Sequence, residues 1–356
     1  MLEWVPPVTG GTPVLGDRVA VIRRTVKTLD TKLARIRAGA YRPQDFIIAD
    51  AKDADMAFGL LSPGPRRDAT GNLLAGNANR AAYLQAMREM TGSGSIDIML
   101  ASASSVEILG QEGLFDGSPV TPAVRFNDTT DIWCQRGARY TQSHSRPFRT
   151  ARVAKLRPVV DLGLYSITFS NDVESDLRTL EAYSTFRAEA DPLGLRHFLE
   201  VFNPAFDVGI PAAELGHYIG DCVVRCLGGV LAAEQPLFLK LAYNGRRAME
   251  ELAGYDPARL VVGILGGAKG TTRDTFELLA RAEQAGARVA LFGRKINFAE
   301  SPLTLVALMR RVIEREVSPV EAVRAYHATL VSKGIRPLLT MADDVEISDP
   351  VLRAEA

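Results

Sequence analysis

Leu237-Phe-Leu-Lys-Leu-Ala-Tyr-Asn244, Leu260-Val-Val-Gly-Ile-Leu265 and Arg288-Val-Ala-Leu-Phe-Gly293 are three short apolar runs, each followed by a segment of helical character. The runs have the length of strands. The segments after them, Gly245 to Leu252, Thr272 to Ala285 and Pro302 to Arg315, repeat apolar residues roughly every 3.6 positions, as amphipathic helices do. Strand and helix in alternation point to a parallel sheet, and the number of strands decides its architecture.

Further runs lie upstream. Phe198-Leu-Glu-Val-Phe-Asn203 precedes a helical pattern from Leu215 to Leu231, and Leu164-Tyr-Ser-Ile-Thr-Phe-Ser170 comes before it. Phe46-Ile-Ile-Ala-Asp50 and Ile96-Asp-Ile-Met-Leu-Ala-Ser102 flank a helix around Ala81 to Met90, and a less regular run extends from Val124 to Trp133. The total of eight predicts an α/β protein of the closed (β/α)8 TIM-barrel type rather than an open doubly wound sheet. Thr271, Thr272 or Ser301 can cap two of the late helices, and Ser318 a last one from Pro319 to Leu330.

Val19, Val21, Ile22, Val26, Leu29, Leu33 and Ile36 form one stripe on a predicted amphipathic helix from Asp17 to about Arg37. The expected organisation is an N-terminal helical extension over 1–40, a barrel over 41–335 and a C-terminal tail over 336–356. Ser62 to Arg80 and Gly110 to Ser145 interrupt the rhythm with Gly, Pro and polar residues. Both are expected at the C-terminal ends of strands, as active-site lids or as plain surface insertions.

Composition narrows the function classes. Lys plus Arg and Asp plus Glu each total 42, so no overall charge favours nucleic acid or an anionic membrane. No apolar run approaches membrane-spanning length and the N-terminus lacks signal-peptide form, which leads to the expectation of a cytoplasmic protein. Cys134, Cys222 and Cys226 are too few for a disulfide framework. With the histidines scattered singly, the i,i+4 pair Cys222 and Cys226 is expected to serve packing, and no metal is expected.

Lys240 stands in an apolar run that a barrel would bury. Burial disfavours the ammonium form, and a neutral amine attacks carbonyls to form imines. Strand alternation groups Phe238, Lys240 and Ala242 on one face. If the aliphatic Leu237, Leu239 and Leu241 meet the outer helices, Lys240 points into the barrel. The alternatives are a lysine that snorkels to the strand end or a structural ion pair. Glu200, between Phe198 and Phe202 on the preceding run, would enter the same interior and could shuttle protons or merely pair with Lys240. On the first run Asp50 and Lys52 share a face and Asp53 takes the other. Asp50 is the favoured functional residue and Lys52 a secondary candidate.

The last two runs lead into Gly266-Gly267-Ala268-Lys269-Gly270 and Gly293-Arg294-Lys295-Ile296-Asn297. Glycines admit a phosphate to backbone amides, helix N-termini add partial positive charge and Arg294 offers a fork of donors, so Gly266, Gly267, Gly293 and Arg294 are candidate phosphate ligands. A nucleotide P-loop is excluded, because Ala268 and Gly270 stand where that motif needs Gly before and Ser or Thr after the lysine.

These motifs, from Phe198 to Arg310 with an echo at Phe46 to Asp53, resemble the class I aldolases grouped with deoxyribose-phosphate, tagatose-1,6-bisphosphate and archaeal-type fructose-bisphosphate aldolase. The resemblance implies Lys240 as the Schiff-base lysine, Glu200 as a catalytic carboxylate, Asp50 as the first-strand active-site aspartate, and the two glycine loops as the phosphate site. It implies carbohydrate metabolism and a small phosphorylated carbonyl substrate, with no cofactor because the iminium is the electron sink. A homo-oligomer is a further expectation from the family. Ser166-Ile-Thr-Phe-Ser170 departs from the pattern in lacking a second lysine, and no tyrosine proton donor stands near Phe202. The expected activity is aldol cleavage or formation. Imine-dependent acyl transfer of the thiolase kind and a non-catalytic phosphometabolite-binding barrel stay open as alternatives.

Overall fold

A computed structural model describes residues 26–355. Eight parallel strands close into a barrel: β1 (Ile47–Lys52), β2 (Ile98–Ala101), β3 (Thr121–Arg125), β4 (Leu162–Thr168), β5 (Arg196–Phe202), β6 (Leu239–Leu241), β7 (Gly263–Leu265) and β8 (Val289–Phe292). Each pairs with its sequence neighbours, and β8 pairs with β1 to close the ring. This is the (β/α)8 barrel expected from the eight apolar runs.

Alternation along each strand divides the core in two. Ile47, Ala49, Ala51, Ile98, Leu100, Leu162, Leu164, Phe198, Val289 and Leu291 fill the barrel interior. Ile48, Met99, Tyr165, Leu199, Val201, Leu239, Leu241 and Ile264 instead meet the surrounding helices. Phe198 and Phe238 stack across β5 and the start of β6 with ring centroids 4.6 Å apart. Burying side chains of this size stabilises by about 1.5–3 kcal/mol each.

The helix Thr28–Arg37 closes the N-terminal end of the barrel. Leu29, Leu33 and Ile36, one helical stripe, pack on the interior cluster. Lys27 anchors its start by donating to the carbonyls of Phe115, Ser118 and Val120. The expected helix start at Asp17 lies outside the described residues.

The third strand begins earlier than the sequence suggested and stops at Arg125. Asp128–Thr129 turn away to form a short antiparallel pair with Pro147–Phe148. Gly110 to Ser145 is therefore not one insertion. Its first part returns the chain to β3 beside Lys27 at the N-terminal end, and only the part after Arg125 lies over the C-terminal end. Ser62 to Arg80 contains a hairpin, Pro65–Arg67 with Leu73–Asn77.

Thr271 and Ser318 each form a reciprocal capping box, at Thr272–Gln284 and Pro319–Ser332. The C-terminal residues dock on the first of these helices. Asp344 accepts from the Thr272 amide, and Ser348 and Asp349 donate to Asp274. Cys226 is buried in the outer core with Cys222 packed against it, as expected of packing residues. No helix among the described residues is long and apolar enough to cross a membrane.

Candidate active site

Lys240 points into the barrel, as the alternation on β6 implied. Its cross-strand partner on β5 is Glu200, and the partner of Glu200 on β4 is Ser166, so three polar side chains form one row above the apolar layers of the interior. Lys240 Nζ lies 2.5 Å from Glu200 Oε1. The other oxygen, Oε2, accepts from Ser166 Oγ at 2.7 Å and from Arg125 Nη2 at 3.0 Å.

Arg125, the last residue of β3, links the row to β1. Its Nε donates to Asp53 Oδ2 at 2.6 Å and its Nη1 to Ser166 Oγ at 2.7 Å. Asn127 fixes the turn that follows, exchanging hydrogen bonds between its side-chain amide and the Ser166 backbone as a strand residue would. Lys240, Glu200, Arg125 and Asp53 are at most 6 % exposed, so two cations and two carboxylates share one desolvated cluster. Buried charges persist only when paired in this way.

Within the cluster, Asp53 and Arg125 are shifted. Burial alone would raise the Asp53 carboxyl, but the charges of Arg125 and Lys240, with the Arg125 hydrogen bond, hold it below the usual carboxylate range. Burial works against the charge on Arg125, and Asp53, Glu200 and Asp128 more than restore it. Asp128 differs. Burial pushes its carboxyl up to about 7 against the pull of Arg125, and the neighbouring Asp53, Glu200 and Asp55 push in the same direction.

Asp50 and Lys52 are not part of this cluster. They share the outward parity of Ile48, and Lys52 Nζ donates to both Asp50 oxygens at 2.7 and 2.8 Å in a pair sealed between strand and helices. The inward parity belongs to Ala49, Ala51 and, one step further, Asp53. The first-strand acid at the candidate site is therefore Asp53. The sequence separated the faces correctly but could not tell which was interior, because every residue of β1 is buried.

Arg125, Ser166 and Asp128 are not among the candidates the sequence offers, and Asp53 stands there only as the residue on the face opposite Asp50. The signal for Arg125 is of the same kind as for Lys240, a cation within the mostly apolar run Val120 to Phe126, and a run bounded at Val124 hides it.

The two glycine loops lie side by side at the C-terminal strand ends. Gly267 adopts φ +66°, which favours glycine, and a Cβ on Gly293 would stand 2.9 Å from the Ala51 carbonyl oxygen where β8 meets β1. Arg294 is exposed, its guanidinium 5.5 Å from the centre of the Phe58 ring. Lys295 is buried, bridges the loops by donating to the Lys269 carbonyl at 3.0 Å, and is lowered by burial to about 8. The segment after β1 and the segment after β3 join above the cluster, where the Cys134 amide and the Gln135 side chain both donate to Ala57 O. Lys240 is 5 % exposed.

No protein-family model and no curated protein matches this sequence. Solved structures do. A fructose-bisphosphate aldolase from Slackia heliotrinireducens superposes with TM-score 0.59 at 13% identity, over 88% of this chain and 95% of that one. The chain shares the barrel fold of these proteins. An archaeal fructose-1,6-bisphosphate aldolase, solved with its catalytic Lys covalently bound to the carbinolamine intermediate of the substrate, matches with TM-score 0.56 at 15% identity, over 80% of this chain and 99% of that one. A Corynebacterium glutamicum protein matches with TM-score 0.51 at 19% identity, over 81% and 98% of the two chains.

Proposed function

We propose that this chain is a class I aldolase that cleaves or forms a carbon–carbon bond in a phosphorylated ketose or related keto compound through an imine on Lys240. The observation that carries the reading is the contact between Lys240 Nζ and Glu200 Oε1 on adjacent strands inside the barrel, at the end where the glycine loops lie. A carboxylate at this distance can take the ammonium proton and leave a nucleophilic amine.

The amine adds to the substrate carbonyl carbon, and the oxygen takes a proton to give a carbinolamine. Glu200 returns the proton it received as the C–O bond breaks, releasing water and forming the iminium. Removal of the proton from the β-hydroxyl then breaks the C–C bond, whose electron pair flows into the iminium to form an enamine. An aldehyde departs. Protonation of the enamine carbon and addition of water release the ketone and restore Lys240, so the water lost is regained.

Gly266, Gly267, Gly293 and Arg294 are proposed to hold the substrate phosphate, with Lys295 fixing one loop against the other. The aldolases that share the barrel fold, one of them with a lysine-bound carbinolamine, support this choice of chemistry. The test is turnover of fructose 1,6-bisphosphate and of other ketose phosphates, followed as carbonyl product released. Cleavage of one of them by the wild type, lost in Lys240→Met with unchanged circular dichroism, is the expected result. Equal rates in the two proteins would overturn the reading.

A further inference from the structure

We propose that Asp128 is the second proton carrier of this site, serving the carbon skeleton of the substrate while Glu200 serves the nitrogen. The inference rests on the imine reading above.

Cleavage by an imine needs protons moved at two places. One is at the amine and the departing carbonyl oxygen. The other is at the β-hydroxyl and the enamine carbon, which are separated from the nitrogen by the intervening carbon chain. Glu200 is committed to the first place, with Oε1 on Lys240 and Oε2 held by both Ser166 and Arg125. Asp53 is tied to Arg125 at 2.6 Å and kept ionised, which suits it to holding the guanidinium rather than exchanging protons. Asp50 faces away from the interior, paired with Lys52.

Asp128 is 3 % exposed, and its Oδ1 makes no hydrogen bond among the described residues. That oxygen stands 3.7 Å from Arg125 Nη1, so a single guanidinium separates it from Glu200. Thr168 Oγ1, on the inward parity of Ser166 at the end of β4, is also buried without a partner. A free carboxyl oxygen and a free hydroxyl beside the Lys240 row provide an acceptor and an orienting group for a substrate hydroxyl. Native proteins rarely leave such atoms unpaired, and those they do leave are often functional.

The charged groups acting on Asp128 are Arg125 from β3, Asp53 and Asp55 from the segment after β1, and Glu200 from β5. Together with burial they keep both of its protonation states accessible near neutral pH, as a proton carrier requires. The ionised carboxyl takes the β-hydroxyl proton as the C–C bond breaks. The resulting acid gives that same proton to the enamine carbon after the aldehyde has left, and Asp128 ends the cycle as it began.

Dihydroxyacetone phosphate in deuterated water separates the two jobs. Borohydride trapping on Lys240 reads imine formation, and loss of the carbon-bound proton signal by NMR reads transfer at carbon. Asp128→Asn is expected to slow exchange by about 10²–10⁴-fold with trapping nearly unchanged. Asp128→Glu should recover part of the exchange, and the wild-type inflection near 7 should vanish in the Asn variant. Exchange in Asp128→Asn equal to wild type, or trapping lost in step with exchange, would overturn the proposal and leave the imine reading standing. A wild type that forms no adduct with dihydroxyacetone phosphate or with any of the ketose phosphates would instead remove the imine reading, and this proposal with it.

Discussion

Lys240 Nζ and Glu200 Oε1 lie 2.5 Å apart on neighbouring strands whose register sets the two residues directly opposite one another. Neither side chain has to search for the other. The rigidity of the paired strands supplies the geometry, and the apolar layer of Phe198 and Phe238 below keeps it dry. The proposed chemistry depends on this contact, so Glu200→Gln should slow imine formation by about 10²–10⁴-fold, measured as the rate of reductive trapping. Trapping at the wild-type rate would show that Glu200 is only a counter-ion.

Arg125 ties Asp53, Glu200 and Ser166 together and lies 3.7 Å from Asp128, so its removal leaves three buried carboxylates without its charge. Arg125→Met should cost about 3–5 kcal/mol in denaturant unfolding. Adding Asp53→Asn should recover part of that loss, because one uncompensated charge disappears. A double variant no more stable than the single one would contradict the coupling.

Asp128 makes stability depend on pH in a predictable direction. Its folded-state carboxyl sits at about 7, above the ordinary value of 3.8. Below that ordinary value both states are protonated and nothing is lost. As pH rises toward about 7 the unfolded chain releases the proton while the fold retains it, so the contribution falls, by up to about 4 kcal/mol in all. Above about 7 it is level. Asp128→Asn should therefore be more stable than wild type at pH 8 and match it near pH 4, in thermal melts across that range. A constant difference would place the titration elsewhere.

The Asp50–Lys52 pair lies on the outer face of β1, so its loss should affect folding and spare chemistry. Asp50→Asn strands a buried ammonium and should destabilise by about 3–5 kcal/mol, whereas Asp50→Leu with Lys52→Met should be nearly neutral. The double variant should retain wild-type turnover. Lost turnover in a stably folded double variant would return Asp50 to the site.

Arg294 is exposed beside the glycine loops, and the role proposed for it is uniform binding of the substrate phosphate. Arg294→Ala should raise KM for a phosphorylated substrate with kcat little changed. Inorganic phosphate should compete less well against the variant than against wild type. An unchanged KM would move the anion site elsewhere.

The barrel was legible in the sequence because parallel strands buried on both faces read as apolar runs, and a lysine or glutamate inside such a run stands out. That signal located Lys240 and Glu200. It misplaced the first-strand acid, since Asp50 lies in, and Asp53 directly after, a strand whose two faces are equally buried, and only the closed ring says which is inside. Arg125 and Asp128 fall where β3 ends and the chain turns into the Asp128–Thr129 pairing, a boundary set by Asn127 standing in for a backbone ladder. A side chain imitating a strand leaves no periodic mark. The fold of the glycine loops was visible as composition, but the Lys295 bridge between them depends on a tertiary contact with Lys269.

The central claim is that Lys240 forms the imine. Its most direct measurement is borohydride reduction of the protein with dihydroxyacetone phosphate, followed by peptide mass mapping. The predicted result is one adduct, on the peptide containing Lys240 and absent from Lys240→Met. An adduct on another lysine, or none at all, would contradict it.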